Sequence, residues 1–435
     1  MSAGICIMNK NAIALAADSA VTVGNHIAIH NSANKLFALS RFEPVGVIVY
    51  ANASFMQIPI EIIIKQYKKH LFNSKFSSLR KYVDDFILFL ESNLTLFHFS
   101  VNESNYVENV YVNLLNGMVG DYKNFMSEKI RAVSRELNES ELSIIQQKTY
   151  NTTIQFIDGL PPIPGSSLEP YIEKSYSTKI ATYLKSSFAW LTEDQNKELT
   201  QKICSLYDKD FFRDLYVGMC FAGYGTDEIF PCMYHLHIGG VIDGKLRYIF
   251  REETIIAEDN HATITPLAQT DVMQTFLFGI NDGFIEKLAS DIPKEINKSI
   301  SSMDNSWFAN GQKTNVIKNL YNSTKNIIDE IIKKAHNEFM GPILHSVSTL
   351  PIEELALLAE SMINITSVRR KVALDGNIGT VGGPIDIAII SKSDGFIWMK
   401  RKHYFDAKYN PQYMFTHYPN NILNEVNQNE SSTQE

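Results

Sequence analysis

The sequence predicts an α+β fold in which a core of two β-sheets is flanked by helical layers. Apolar, strand-like runs open the chain, return in its middle and close it. The two long stretches between these runs carry apolar residues at helical spacing. With 435 residues, the chain is long enough for one large core with insertions. We therefore predict a single domain over residues 1–410, with helical insertions at about 70–210 and 255–345.

Short strands form the predicted beginning of the chain. Residues 3–9 and 12–17 are apolar runs separated by the polar sequence Asn9-Lys10-Asn11, a pattern that predicts a β-hairpin. Three more short strands are expected, around residues 26–30, 35–39 and 45–51.

Helical spacing begins near Ile58, in IEIIIKQYKKHL and then RKYVDDFILFLESNL. A further helix is predicted over Val110 to Leu137. The sequence GLPPIPGSS, within residues 152–170, is a predicted connection because proline does not fit a helix interior. Helix resumes near Thr192, where T-E-D-Q is a potential capping box.

The middle of the chain returns to strands at residues 214–225 and 232–250, and Asp243-Gly244 predicts a hairpin turn in the second. Helices then dominate from Asp271 to about Met340, and another begins near Pro351. The strands GGPIDIAII and GFIWMKRK close the fold. Residues 411–435 are polar and predicted to be disordered.

Composition excludes several classes of function. The formal charge is -8 and basic clusters are short, so Lys400-Arg401-Lys402 is interpreted as a solvated face and no nucleic-acid partner is expected. Neither a signal peptide nor an apolar run of membrane-spanning length is visible, which predicts a cytoplasmic protein without a membrane partner. The four cysteines lack zinc or redox spacing and are interpreted as reduced and structural. His235 and His237 lack a third ligand at metal-binding spacing, so no metal or cofactor is predicted.

Ser2 follows Met1 and is a candidate nucleophile. Methionine is normally removed before a small residue, which would leave Ser2 with a free α-amine beside its hydroxyl. An α-amine has a pKa of about 7.7 to 8.0, so part of it is neutral near pH 7 and accepts the hydroxyl proton. Nucleophile and base would then belong to one residue. Met-Ser is also one of the commonest chain starts, so Ser2 alone decides nothing.

Two charged residues fall at predicted strand ends. Asp18 follows the apolar run AIALAA, and Lys35 begins KLFAL. Because a buried charge is costly unless it is paired, an ion pair between them would allow both to be buried. Near Ser2, the Lys35 charge would favour deprotonation of the hydroxyl and the amine. Two unrelated charges at strand ends are the alternative interpretation.

Several segments resemble the proteasome β-type subunits and their bacterial relatives, a family of N-terminal nucleophile (Ntn) hydrolases. The resemblance lies in SAGICIMNKNAIALAADSAVTVGN, NKLFAL and VIVYANASF, and more weakly in FAGYGTDEIF, ELALLAESMI and VGGPIDIAIISKSDG. It implies a four-layer αββα Ntn-hydrolase sandwich with large helical insertions. It also implies Ser2 as nucleophile, in place of the family threonine, with Asp18 and Lys35 as the supporting catalytic pair.

The resemblance assigns further residues one by one. The backbone N–H of Asn52 matches the oxyanion donor, a position where a backbone group tolerates the change from glycine. Thr22 falls where the family pairs with the substrate backbone. Val21 and Tyr50 fall near the pocket for the side chain before the cleaved bond, which Tyr50 would make smaller.

The late Asp-x-x-Ser-Gly-Gly motif of the family is altered. Here the segment reads Ile378-Gly379-Thr380-Val381-Gly382-Gly383, so its acid and its serine are missing, and Asp375 or Thr380 is left as a substitute. The predicted function is an N-terminal serine amidohydrolase, a peptidase by preference. The alternatives are a non-catalytic protein for assembly or binding, and a hydrolase of a small amide. The resemblance also implies a ring-like homo-oligomer.

Overall fold

The computed structural model describes residues 3–23, 28–30, 32–40, 42–304, 307, 312–372, 381–402 and 409. Its strands are β1 (Ala3–Asn9), β2 (Ile13–Ala17), β3 (Val21–Val23), β4 (Ala28–His30), β5 (Leu36–Ala38), β6 (Val45–Ala51), β7 (Ser54–Phe55), β8 (Ile58–Pro59), β9 (Val217–Gly223), β10 (Cys232–Ile242), β11 (Lys245–Ile255), β12 (Ala262–Ala268), β13 (Asp386–Ser391) and β14 (Gly395–Lys400). The predicted tail, residues 411–435, lies outside the described residues, as do Met1, Ser2 and His26.

Helices fill the two long segments between the strands. They are α1 (Ile60–Leu71), α2 (Leu79–Ser92), α3 (Phe99–Val133), α4 (Glu139–Gly159), α5 (Glu169–Ser187), α6 (Glu193–Ser205), α7 (Asp271–Phe278), α8 (Asp282–Ser301), α9 (Gln312–Ala335), α10 (Gly341–Val347) and α11 (Ile352–Val372). A 3₁₀ turn, Leu206–Asp208, follows α6, and a single π-helical turn, His336–Met340, joins α9 to α10. Within the described residues, no helix is long and apolar enough to cross a membrane.

Two antiparallel sheets of five strands make up the β structure. The first sheet has the order β12-β1-β2-β13-β14, and the second has the order β11-β10-β9-β6-β5. Two short ribbons, β3-β4 and β7-β8, lie beside them. The predicted mixed α+β class with antiparallel strands is therefore confirmed.

Three apolar clusters show which surfaces pack together. Strands of both sheets share one cluster, which includes Cys6, Leu15, Ile48 and Cys220. A second cluster joins the other face of the second sheet to α1–α6, and a third joins the other face of the first sheet to α7, α10 and α11. All seven residues of β1 are buried, which places the start of the described chain inside the protein.

Several local predictions are confirmed. The Asn9 side chain accepts hydrogen bonds from the amides of Asn11 and Ala12, which closes the β1-β2 hairpin. Asp243 and Gly244 adopt φ values of 50° and 74° in the β10-β11 turn. Thr192 and Gln195 form the predicted capping box of α6.

Two boundaries differ from the predictions. Helix α3 begins at Phe99, eleven residues before the predicted start at Val110, because Phe99 itself is buried in the apolar cluster. Strand β12 lies within the predicted helical insertion 255–345 and pairs with β1 from Asn9↔Ala262 to Ala3↔Ala268. This strand was not predicted because its threonines and its proline interrupt the apolar residues, so the sequence shows no continuous apolar run there.

Candidate active site

Asp18 and Lys35 form a buried ion pair at one end of the two sheets. The Lys35 Nζ lies 2.5 Å from Asp18 Oδ1, and the two side chains are 5% and 0% exposed. Lys35 also donates to the Ala20 carbonyl, at 2.5 Å. Asp18 directly follows β2, whereas Lys35 directly precedes β5, so each sheet contributes one partner. Of the two interpretations left open for these strand-end charges, the structure shows the ion pair.

Asp18 also accepts three backbone N–H groups. The Ala3 amide donates to the same Oδ1 that binds Lys35, at 2.9 Å. The amides of Ala20 and Gly382 donate to Oδ2, at 3.3 and 3.1 Å. Burying a charge pair is costly unless its remaining lone pairs are satisfied, and these donors meet that condition. The carboxylate therefore ties the start of β1 and residue 382 to Lys35.

The predicted nucleophile lies outside the described residues, but its neighbour in sequence does not. Ser2 is joined by a peptide bond to Ala3, whose amide shares an oxygen of Asp18 with Lys35. The candidate substitutes in the altered late motif, Asp375 and Thr380, also lie outside the described residues.

The environment of Lys35 makes its proton easier to remove than that of an ordinary lysine. Burial lowers the pKa of Lys35, the charge and hydrogen bond of Asp18 raise it, and the positive charge of Lys402 lowers it. The balance leaves the pKa of Lys35 below its usual 10.5.

Sequence reasoning missed a second ion pair beside the first. The Lys402 ammonium binds Asp386 Oδ2, and the Lys402 amide donates to Asp386 Oδ1 at 2.8 Å. The two side chains are 11% and 4% exposed. The interpretation of residues 400–402 as a solvated face is therefore wrong for Lys402. The missed signal was a carboxylate at the first position of a buried strand, in PIDIAII.

Asn52, the predicted oxyanion donor, follows β6. Its backbone N–H donates to the Tyr216 carbonyl over a long 3.4 Å, and its side chain binds the carbonyls of Asp214 and Tyr216 at 2.7 and 3.0 Å. The preceding residue, Ala51, has φ of 64°, in the left-handed region that costs a side-chain-bearing residue about 1 kcal/mol or more. An oxyanion role would require the Asn52 amide to exchange its weak bond to Tyr216 for the substrate oxygen.

Val21 and Thr22 belong to the short ribbon that follows Asp18 and Ala20. Val21 pairs with His30, and Thr22 pairs with Ile29. Val21 is partly buried. The ribbon therefore begins three residues after Asp18, in the segment where the resemblance placed a contact with the substrate backbone.

Tyr50 is buried among residues shared by the two sheets, and its hydroxyl contacts two histidines. Tyr50 Oη bonds to His235 Nε2, and it lies 2.8 Å from His237 Nε2. Its strand neighbour Val49 donates to the Lys35 carbonyl at 2.8 Å, which places this cluster next to the ion pair. His235 and His237 are thus packed against Tyr50. Gly218 makes room for the ring, since a Cβ there would lie 2.1 Å from Tyr50 Cζ.

The hydrogen bonds of this cluster have a defined direction. Arg251 Nε donates to His237 Nδ1 at 2.9 Å, so a neutral His237 carries its proton on Nε2 and donates to Tyr50. The Tyr50 hydroxyl is then free to donate to His235. Burial and the charge of Arg251 lower the pKa of His235 to about 4 and the pKa of His237, also affected by His235, to about 3. Both histidines are therefore neutral at pH 7.

No family model matches the chain, and no curated protein matches it. Among solved structures, the Gly-1 mutant of Anbu from Hyphomicrobium sp. strain MC1 is 10% identical, with 100% of this chain and 98% of that chain covered and a TM-score of 0.27. Anbu (ancestral beta-subunit) from Yersinia bercovieri is 8% identical, with 96% and 97% covered and a TM-score of 0.27. The helical assembly of the Anbu complex from Pseudomonas aeruginosa is 9% identical, with 94% and 90% covered and a TM-score of 0.26.

These comparisons correct the family assignment made from the sequence. The assignment to the proteasome β-type subunits is wrong, because no family model supports it and the solved structures named above are Anbu proteins at TM-scores near 0.27. TM-scores this low establish no common fold, so no property of those proteins is transferred to this chain. The similarity that the chain does show is to Anbu structures, at 8–10% identity.

Proposed function

We propose that this protein is an N-terminal serine amidohydrolase, in which Ser2 becomes the nucleophile once Met1 has been removed. One observation carries the proposal. The Ala3 amide and the Lys35 ammonium share one oxygen of the buried Asp18, so the residue that follows Ser2 in sequence contacts a buried acid-lysine pair. A chain start that served only packing would need no such pair, because an apolar pair of similar volume is often at least as stable.

The proposed reaction uses the Ser2 amine as the base. The Ser2 hydroxyl attacks the amide carbonyl carbon, and its proton passes to the α-amine. The tetrahedral intermediate collapses to an ester, and the protonated α-amine gives its proton to the departing amine. Water then attacks the ester with the α-amine again as the base, which releases the acid and restores the serine. Atoms and protons balance without a cofactor.

Lys35 and Asp18 have supporting roles in this scheme. A positive Lys35 beside the chain start favours the deprotonated forms of the hydroxyl and the α-amine. Asp18 holds Lys35 and the Ala3 backbone in one geometry, which fixes the direction in which the chain start leaves β1. Backbone N–H groups, with Asn52 as the candidate, would stabilise the oxyanion.

The substrate is proposed to be a peptide, with Thr22 pairing with the substrate backbone and with Val21 and Tyr50 near the side chain that precedes the cleaved bond. A buried Tyr50 ring favours a small or slim side chain. A small amide is the alternative substrate. We also propose the layer order αββα, since both sheets share one apolar cluster and each packs on helices at its other face. Self-association through the outer helices and a cytoplasmic location belong to the same proposal.

One observation favours a second candidate function, a non-catalytic protein for assembly or binding. The Asn52 amide, the candidate oxyanion donor, already bonds to Tyr216, and its side chain holds the same loop. If that bond persists when ligand binds, the site lacks its assigned oxyanion donor.

Mass spectrometry with N-terminal peptide mapping, before and after a peptide epoxyketone, separates the candidates. This reagent needs a hydroxyl and a free α-amine on one residue. We expect an adduct on a Met1-free Ser2, retained in Ser2→Thr and lost in Ser2→Ala. A trimmed Ser2 that does not react would favour the binding function. Retained Met1 or an acetylated amine in the cellular protein would refute the mechanism.

A further inference from the structure

A second buried ion pair, Lys402 with Asp386, lies beside the candidate active site. Lys402 follows β14 directly, and both its backbone amide and its ammonium bind the Asp386 carboxylate. Two contacts from one residue to one carboxylate fix the position of the ammonium. Lys400, two residues earlier, also makes an ion pair, with Glu360 at 2.5 Å, but its side chain is 54% exposed.

The backbone connects this second pair to the first. Asp386 pairs with Ala17, the residue before Asp18, in the β2-β13 ladder. Four residues earlier, the Gly382 amide donates to Asp18 Oδ2, and the Gly382 carbonyl accepts from Ser19. Residues 382–386 therefore hold Asp18 from one side and Lys402 from the other.

Helix α1 provides a second link between the Asp18-Lys35 and Asp386-Lys402 ion pairs, through its residue Glu61. Its Glu61 carboxylate accepts from the Asn34 side chain at 3.1 Å, and Asn34 directly precedes Lys35. Burial raises the pKa of Glu61, but hydrogen bonds from Lys65 and Asn34 and the charges of Lys65 and Lys402 bring it below its usual value. The Lys402 charge therefore acts both on Lys35 and on Glu61, whose carboxylate binds the residue before Lys35.

Among the described residues, the charged groups that act on Lys35 or bind its neighbours come from four elements. Asp18 follows β2, Asp386 lies on β13, Lys402 follows β14, and Glu61 and Lys65 lie on α1. Asp18 contacts Lys35 directly and opposes loss of its proton, whereas Lys402 repels that proton. Asp386 binds Lys402, and Glu61 binds Lys65 and Asn34, so each of these carboxylates is engaged elsewhere.

We propose that Lys402 is a positioning residue of the candidate active site, a fixed positive charge that acts through Lys35 and favours loss of its proton. Asp386 holds this charge in place. The arrangement puts a second positive charge next to residues 382–386, whose Gly382 amide binds Asp18. The catalytic meaning of this inference rests on the proposed function, whereas the coupling between the two lysines does not.

Titration of Lys35 by NMR tests the coupling directly. With carbon-13 at the lysine ε-carbon, the Lys35 signal is identified by its loss in Lys35→Met and is followed against pH. In Lys402→Gln, whose neutral amide still donates to Asp386, removal of the repelling charge should move the Lys35 midpoint to higher pH. Lys402→Arg, which keeps the charge, and Lys400→Gln, which removes an exposed charge from the same strand end, should leave the midpoint in place.

The possible outcomes separate this inference from the proposed function. An unchanged Lys35 midpoint in Lys402→Gln, or the same shift in Lys402→Arg, would overturn the inference, because charge would then not be the cause. If Lys402→Gln fails to fold, Lys402→Met with Asp386→Asn removes both charges, and a midpoint that stays at the wild-type value would count against the coupling. A shifted midpoint without any epoxyketone adduct in the wild type would support the coupling and contradict the proposed function. Where adducts form, their pH dependence should shift in the direction of the Lys35 midpoint.

Discussion

Loss of the Asp18 carboxylate should destabilise the protein more than loss of the Lys35 ammonium. Asp18 accepts from Lys35 and from the amides of Ala3, Ala20 and Gly382. Asp18→Ala leaves a buried ammonium and three backbone donors without this acceptor. Lys35→Met leaves a carboxylate that keeps its three amide donors. Both variants break the same ion pair, but Asp18→Ala leaves more buried polar groups without their partner than Lys35→Met does.

The magnitudes follow from the number of groups left without a partner. Breaking a buried ion pair by removing one partner costs about 3 to 5 kcal/mol. We expect Lys35→Met near the low end, at about 3 kcal/mol, because the amides still stabilise the carboxylate. We expect Asp18→Ala at about 5 kcal/mol, a large share of the stability of an ordinary domain. The double variant, with both Asp18→Ala and Lys35→Met, should be no less stable than Asp18→Ala alone, because it no longer contains a buried ammonium without its carboxylate partner.

Urea denaturation followed by circular dichroism measures these differences by linear extrapolation. Lys65→Met breaks an exposed ion pair with Glu61 and is the matched control, with an expected cost below about 0.5 kcal/mol. Equal costs for Lys35→Met and Asp18→Ala, or costs that add in the double variant, would refute the view that Asp18 is the centre of the network.

The same comparison predicts a pH dependence. Burial keeps the pKa of Lys35 below its usual 10.5, so between the two values the unfolded chain binds more protons than the folded protein. The free energy of unfolding should therefore gain a contribution as pH rises through that interval. Lys35→Met lacks the titrating group, so its unfolding free energy should lack this rise.

Three further predictions concern the second sheet. Because the pKa values of His235 and His237 are about 4 and about 3, each histidine should remove roughly 1.4 kcal/mol of stability per pH unit as pH falls below its unfolded value of 6.5, which denaturation at pH 7 and pH 5 would detect. Gly218→Ala should cost about 1 to 3 kcal/mol and raise the pKa of both histidines toward normal, since the new methyl displaces the Tyr50 ring; histidine NMR titration reads this directly. Arg247→Met should cost about 3 kcal/mol or more in thermal unfolding, because Arg247 is 1% exposed and donates to four backbone carbonyls.

Two matched controls accompany the substitutions at Gly218 and Arg247. Gly120→Ala, at a helical glycine with open space around it, should stabilise by up to about 1 kcal/mol. Arg80→Met, at an exposed ion pair with Asp84, should change the melting temperature little. A stability profile that is flat between pH 7 and pH 5 would contradict the burial of two neutral histidines. Unshifted histidines in Gly218→Ala would contradict the packing of Tyr50 over residue 218.

The Asp18-Lys35 pair was one of two interpretations that the sequence allowed, because each charge stands at one end of an apolar run. A buried strand that ends in a charge needs a partner, and the chain offers few candidates nearby. Lys402 and Asp386 could not be paired by the same argument. Their contact depends on the register of β13 with β14, in which Ile387 pairs with Lys400 next to an irregularity of the ladder, and such register is not visible in a single sequence.

The contacts of the histidine cluster were also only partly predictable from the sequence. Alternation along β10 predicted that His235 and His237 share one face, and they do. That Tyr50 reaches both of them depends on β9 lying between β6 and β10, with glycine at the one position where the ring crosses. Gly218 is visible in the sequence, but the space that it leaves for the Tyr50 ring can be recognised only once the strand order is known.

The strand order of the first sheet also sets when the candidate site is completed during synthesis. Strands β1 and β2 are made first, yet their neighbours β12 and β13 follow after about 250 and 370 further residues. At ribosomal rates of 5–20 residues per second, β2 waits on the order of 20 to 70 seconds for β13. Until Gly382 arrives, Asp18 lacks one of its amide donors. For most of its synthesis, a nascent chain therefore carries β1, β2 and Asp18 without the later strands and the Gly382 amide that complete their surroundings.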